Sequence, residues 1–170
     1  MNTVLFKGTA VKIKGNLPAV GAKAPDFKFV QADLSENTLY AVQAQAKVVL
    51  MFPSLDTNVC AVETRKFNEK LASISGAKTV IITQDLPFAI NRFCTTEGIK
   101  NLVVGSDFRY HEAGEKFGTL ILDGIVAGLH ARAVFVLDQD NTVKYVELVS
   151  EVSAEPNYDA AVQAVQNLVK

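Results

Sequence analysis

Lys47-Val48-Val49-Leu50-Met51-Phe52-Pro53-Ser54-Leu55-Asp56-Thr57-Asn58-Val59-Cys60 decides how the rest of the chain is read. Its first six residues form a compact apolar run that ends at a proline. That pattern predicts a central strand buried on both faces, because a strand with one solvated face alternates apolar and polar residues. Asp56 and Thr57 are good helix N-cap types, so a helix is expected to begin just after them. Cys60 then falls at the start of that helix, beyond the carboxyl end of a buried strand. Ligand sites in α/β sheets gather at such ends.

Working outward, Val59, Val62, Phe67, Leu71 and Ile74 give the helix an imperfect apolar face, and Gly76 is expected to stop it. Lys78 to Thr83 reads as the next buried strand. The strand–helix–strand unit predicts parallel strands with a right-handed crossover. Residues 87–97 read as a shorter helix carrying Cys94, Asn101 to Val104 as a strand, and Phe108 to Phe117 as a helix. Arg132 to Asp138 is a strong strand. Asp140-Asn141 turns it into Thr142 to Val149, an antiparallel hairpin. Residues 157–169 form an amphipathic helix in which Ala161, Val162, Val165, Leu168 and Val169 share a stripe.

Upstream, Val4 to Ile13 alternates apolar and polar residues, broken by Gly8, and reads as a short hairpin. Pro18, Gly21 and Pro25 punctuate a loop. Phe27 to Val30 is a short strand that Asn37 to Val42 is expected to continue. Helices on both faces of a mixed sheet make an α/β sandwich. A chain of 170 residues fits one domain, 1–170, with a sizeable core.

Composition narrows the function. Hydrophobic residues make up 49% of the chain, so it can fold without metals or disulfide staples. The 17 basic and 18 acidic residues leave a net charge of -1 with no block of like charge, which argues against nucleic acid or an anionic membrane as a partner. No apolar run approaches the ~20 residues of a membrane span. The N-terminus is too short and interrupted for a signal peptide, so the expected address is cytoplasmic. Two cysteines, Cys60 and Cys94, are too few for a secreted scaffold. In a reducing compartment such a pair points to transient, catalytic use.

Only a thiolate attacks. Three groups can hold Cys60 as one: the free N–H groups and positive dipole end of a first helical turn, the Thr57 hydroxyl one turn back, and a guanidinium, for which Arg132 is the candidate. An inert core thiol is the bland alternative, and the position beyond a strand end weighs against it. Cys94 lies 94 − 60 = 34 positions on, yet parallel topology puts both segments near one rim. A disulfide needs Cα atoms within ~7 Å, so a formed helix around Cys94 has to loosen first.

Other chemistries find less support. His111 and Glu112 are adjacent and do not face one another, so no metal site is expected, and His111 is read as solvated on a helix face. No Gly-x-Ser-x-Gly elbow is present. The absence of Cys-x-x-Cys argues against a protein thiol–disulfide oxidoreductase. A redox sensor that reports its oxidation to a partner stays open. Gly118 through Gly128 reads as a plain loop, and Phe88 and Phe93 either wall an apolar pocket or face the core.

Pro53, Thr57 and Cys60 match Pro-x-x-x-Thr-x-x-Cys, and the chain there resembles the peroxiredoxins, in particular their atypical two-cysteine, thiol peroxidase branch. Asp85-Leu86-Pro87-Phe88-Ala89 with Arg92-Phe93-Cys94, then Ser106-Asp107-Phe108-Arg109, then Gly128 through Val134 resemble further segments of that branch in the same order, as does Glu155-Pro156-x-Tyr158. The resemblance covers essentially the whole chain. It implies a thioredoxin-like fold with an N-terminal hairpin, and peroxide reduction without a cofactor. It implies that Cys60 is peroxidatic and Cys94 resolving, joined in an intramolecular disulfide that thioredoxin reopens. Pro53 would shield the thiolate, Thr57 would hydrogen-bond sulfur and peroxide, and Arg132 would stand beside both. Hydrogen peroxide and organic hydroperoxides are the implied substrates, and a homodimer the implied assembly. His130 stands where a small or apolar residue is expected, and it is read as a loop histidine outside the chemistry.

Overall fold

The computed structural model describes residues 2–99 and 102–169. Its centre is β5 (Ala46–Met51), every residue of which is buried. Apolar side chains on both sides of one strand require a layer above and a layer below. The chain supplies them in two steps. β5 leads into α1 (Asn58–Leu71), and α1 returns to β6 (Ala77–Thr83), which pairs parallel to β5. α2 (Pro87–Glu97) then leads to β7 (Leu102–Ser106), parallel to β6. Asn101, the expected start of β7, lies outside the described residues.

On the other side of β5 runs β8 (Ala133–Asp138), antiparallel to it, and β9 (Val143–Leu148) pairs with β8 in turn. The expected turn at Asp140-Asn141 is present. The Asp138 carboxylate accepts the N–H of Asp140 and of Thr142, each at 2.9 Å. β3 (Lys28–Gln31) and β4 (Glu36–Thr38) finish the opposite edge, giving a seven-stranded mixed sheet in the order β4-β3-β7-β6-β5-β8-β9. Here an expectation is corrected: residues 37–42 do not prolong β3. The chain turns at Leu34, and β4 returns antiparallel, pairing Phe29 with Asn37.

Alternation along the central strands sorts the two layers. Val48, Leu50, Ile81, Val134 and Val136 face one core with Cys60, Phe67 and Leu71 of α1, Ile90 and Phe93 of α2, and Ala161 and Val165 of α4 (Tyr158–Gln166). Val49, Met51, Val80, Ile82, Ala133 and Phe135 face the other, with Phe27, Phe29 and the short α3 (Glu112–Phe117). Edge-to-face rings, Phe117–Phe135 at 4.9 Å and Phe27–Phe117 at 5.3 Å, knit this second core. This is a thioredoxin-like α/β sandwich, with Lys47 the one cation buried in β5. Its ammonium donates to the Leu39 carbonyl at 3.0 Å and to Asn141, and burial pushes its pKa down to about 8.

The N-terminal hairpin is present as β1 (Thr3–Phe6) and β2 (Thr9–Lys12), a separate two-stranded sheet. Val4, Val11 and Ile13 bury against Ile121, Ala131 and Val152. Leu5 donates its N–H to Ser150 O and accepts from Val152 N–H, each at 2.7 Å. Three helix boundaries also differ from expectation, the last being α4, which ends at Gln166 and not at residue 169. α1 ends at Leu71, before Gly76, which instead turns the chain into β6 with φ +88°. α3 starts at Glu112 and not at Phe108, because Asp107 takes the N–H groups of Ala113 and Gly114 and fixes the first turn there.

Candidate active site

Phe52 and Pro53 continue β5 to its buried end, and after a three-residue loop the chain enters α1 with Thr57 as N-cap in an extended conformation. Cys60 occupies the first turn, where backbone N–H groups lack intrahelical acceptors, and it is fully buried. The intervening loop is held from the neighbouring strand. Asp85, two residues past β6, accepts the Ser54 hydroxyl at 2.7 Å and the Leu55 N–H at 2.8 Å.

Arg132 enters from the residue before β8. Its Nη2 donates to Cys60 Sγ at 3.2 Å, and its Nε donates to the Val152 carbonyl at 2.8 Å. Nη1 donates to Glu63, and the guanidinium lies 5.8 Å from the centre of the Phe52 ring. The group is 1% exposed, so position and charge are both fixed by protein atoms. Burial works against its charge, and Glu63 and Cys60 together outweigh that, holding Arg132 protonated beyond the usual arginine range. Glu63 sits three residues after Cys60 on the buried side of α1, and burial raises its pKa to about 7 against the pull of Arg132.

Pro53, Thr57, Arg132, Val126, Leu129 and Val152 line a cavity of about 300 Å³. The Thr57 hydroxyl donates to the Ser54 carbonyl at 3.1 Å, not to the sulfur. Thr57 is exposed, so a rotation about its side-chain bond can turn that proton toward a guest in the cavity.

Cys94 lies on α2, half-buried, and packs against the same core cluster as Cys60. Both cysteines are free thiols, and burial pushes the Cys94 thiol up. Two ion pairs tie α2 to the Cys60 segment. Arg92 grips both oxygens of Asp56 at 2.8 Å, and Arg65 of α1 grips Glu97 at 2.7 and 2.8 Å. α2 is closed at its C-terminus by Gly98 in the left-handed region, φ 66°.

Two sequence readings change here. His130 is a loop residue, as expected, but it is fully buried: Nδ1 lies 2.9 Å from Thr119 Oγ1 and Nε2 3.4 Å from Asp107. Its ring packs 3.1 Å from the position of a Cβ on Gly114, which is why that helical site is glycine. His111 is exposed but precedes α3 as its N-cap. Phe93 faces the core, whereas Phe88 is 68% exposed. Glu63 and Asp85 were not singled out from the sequence. An acid spaced i, i+3 from the cysteine on an otherwise apolar helix face was the available signal for Glu63. Asp85 was read only as part of the segment leading to Cys94, because its partners Ser54 and Leu55 come from the distant loop after β5.

A cysteine beside a fixed guanidinium, at the end of a central strand in a thioredoxin-like sheet, defines a thiol-based oxidoreductase of the peroxiredoxin class. Comparison with known proteins agrees. The family model described as Redoxin matches residues 19–162. A thiol peroxidase of Leptospira interrogans is 52% identical over 96% of this chain and 97% of that protein. One from Campylobacter jejuni is 50% identical over 92% of this chain and 89% of its own length. The crystal structure of a peroxiredoxin-like protein from Aquifex aeolicus superposes with TM-score 0.93 at 43% identity, covering 99% of this chain and 98% of that one. The chain belongs to the Redoxin family, and within it to the thiol peroxidases.

Proposed function

We propose that the protein is an atypical two-cysteine peroxiredoxin, a single domain acting in the cytoplasm as a homodimer. It reduces hydrogen peroxide and organic hydroperoxides, and thioredoxin recharges it. The observation that carries the reading is the 3.2 Å contact from Arg132 Nη2 to the buried Cys60 sulfur, at the wall of a cavity that Pro53 and Thr57 share.

In the first step the Cys60 thiolate attacks the distal peroxide oxygen. An S–O bond forms, the O–O bond breaks, sulfur is oxidised, and the leaving alkoxide or hydroxide takes a proton. The product is a sulfenic acid. Ionisation alone is too small a contribution: even full ionisation of an ordinary thiol at neutral pH gains only about 30-fold, against enzyme accelerations of roughly 10⁶ or more. The remainder comes from alignment and charge stabilisation. Arg132 is held at sulfur, the Glu63 carboxyl and a carbonyl, so its N–H groups do not reorganise as charge moves between the oxygens. Thr57 and the first-turn N–H of Cys60 complete the donor set, and Pro53 keeps water from the sulfur.

In the second step Cys94 Sγ attacks the sulfenic sulfur, an S–S bond forms, and water leaves. The resulting Cys60–Cys94 disulfide is reopened by exchange with thioredoxin. No step calls on a cofactor. The test is thioredoxin-coupled turnover of hydrogen peroxide and cumene hydroperoxide by wild type, Cys60→Ser and Cys94→Ser. Cys60→Ser should consume no peroxide. Cys94→Ser should consume about one equivalent per chain and then stop. Sustained thioredoxin-dependent turnover by Cys94→Ser would refute the resolving role.

A further inference from the structure

Cys60, Glu63 and Arg132 form a sealed group of two acids and one cation, each at most 1% exposed. Both acids come from α1, three residues apart, and both accept from the same guanidinium, Cys60 from Nη2 and Glu63 from Nη1. The second carboxyl oxygen of Glu63, Oε1, is buried with no hydrogen-bond partner. An ionised carboxylate there carries charge on an unsolvated atom, whereas the protonated acid leaves only a neutral group unpaired.

The surroundings push the same way. Glu147 of β9 and Glu155 of the loop before α4 both add negative field at Glu63. Lys66 spends its ammonium on Glu155 at 2.8 Å, and the Tyr158 hydroxyl of α4 donates to Glu155 at 2.7 Å. Among the described residues Arg132 is the one cation hydrogen-bonded to Glu63. A single guanidinium cannot neutralise a thiolate and a carboxylate together, so the two acids compete for one negative charge.

We propose that Glu63 is a positioning residue that holds a proton while Cys60 is a thiolate and yields it when peroxide consumes the thiolate charge. The inference rests on Cys60 being the attacking sulfur. With Glu63 neutral, Arg132 serves the sulfur alone. Attack turns the thiolate into a neutral sulfenic acid and expels an alkoxide. The guanidinium then loses its sulfur partner, Glu63 ionises against it, and the released proton balances the alkoxide. In sum, thiolate, protonated Glu63 and hydroperoxide become sulfenic acid, ionised Glu63 and alcohol, with no proton drawn from solvent. The same hand-over weakens the hold of Arg132 on the oxidised sulfur, while Val152 and Glu63 keep the guanidinium in place. The buried carboxyl titrates at about 7, so the exchange falls near neutral pH.

The experiment counts protons. One equivalent of hydrogen peroxide is added to the reduced wild-type chain in weak buffer with an indicator dye near pH 6, where a group titrating at about 7 still holds its proton, and then to Glu63→Gln. Conversion of a thiolate and a thiol to a disulfide by peroxide takes up one proton from solvent unless a protein group supplies it. Wild type should take up well under about half a proton per peroxide, and Glu63→Gln about one. An uptake of about one proton by wild type overturns the inference, and that measurement stands whether or not the variant folds. Failure of the underlying reading looks different: Cys60→Ser would then consume peroxide as wild type does.

Discussion

Replacement of Gly98 by alanine tests whether α2 opens before the proposed Cys60–Cys94 disulfide forms. Gly98 closes the helix with φ 66° and ψ 25°, its N–H donating to Thr95 O and the next N–H, of Ile99, to Cys94 O at 3.1 Å. A Cβ built there meets nothing within 4 Å, so alanine introduces no clash. What remains is the left-handed backbone itself, disfavoured for any residue with a Cβ by about 1 kcal/mol. That strain is relieved when the last turn of α2 unwinds, which shifts the closed-to-open equilibrium about fivefold toward open. Cys94 lies in that turn and packs beside the Cys60 core, with two ion pairs holding the helix closed. If opening precedes disulfide formation, the Cys60–Cys94 bond should form about fivefold faster after one equivalent of peroxide. Rapid quenching with an alkylating agent and mass measurement reads that rate. The initial peroxide attack should not change, because Gly98 touches no group around Cys60. Gly21→Ala is the control: φ +90°, equally open space, and no connection to α2. An unchanged disulfide rate, in a Gly98→Ala chain whose α2 amides exchange faster than wild type, would refute the requirement for opening.

Three other outcomes are expected. Glu63 titrates at about 7 when folded, against an ordinary 4.5, so the folded state keeps a proton that the unfolded state has lost across that window; stability should fall as pH rises through it, by about 3 kcal/mol at most, and urea midpoints near pH 5 and 8 should differ in wild type but converge in Glu63→Gln. Asp85→Ala strips the Leu55 N–H and Ser54 hydroxyl of their acceptor, so the loop should weaken by about 1–3 kcal/mol and single-turnover peroxide consumption should slow; a wild-type rate would remove Asp85 from the support of the site. Phe67→Ala empties a fully buried position against Tyr158, with ring centres 5.1 Å apart, and should cost about 3–5 kcal/mol in denaturant titration, whereas a loss below 1 kcal/mol would mean that α1 settles into the space.

Much of this architecture was legible because burial writes itself into local pattern. The apolar run before Pro53 read as a strand covered on both sides, and β5 is that. Cys60 at a helix start followed from Asp56 and Thr57 being caps by type. What escaped depended on contacts between distant segments. The turn at Leu34 that sends β4 back along β3 is carried by a non-glycine residue at positive φ, a conformation the sequence does not advertise. The burial of His130 was not legible because its partners, Thr119 and Asp107, come from two other loops. Glu63 escaped because acids are ordinarily solvated, and only the fold shows that its one cation is also the cysteine's.

The segment linking β9 to α4 makes the beginning of the chain part of the machinery that aims the guanidinium. Val152 receives Arg132 Nε on its carbonyl and gives its own N–H to Leu5, and Glu151 beside it accepts the N–H groups of Lys7 and Gly8 at 3.0 Å. A hairpin that shares no residue with the large sheet therefore acts as a strut behind the Cys60 sulfur. A fusion or deletion ahead of Thr9 reaches the Cys60 sulfur through three hydrogen bonds, and its damage would be mistaken for a lesion in the site itself.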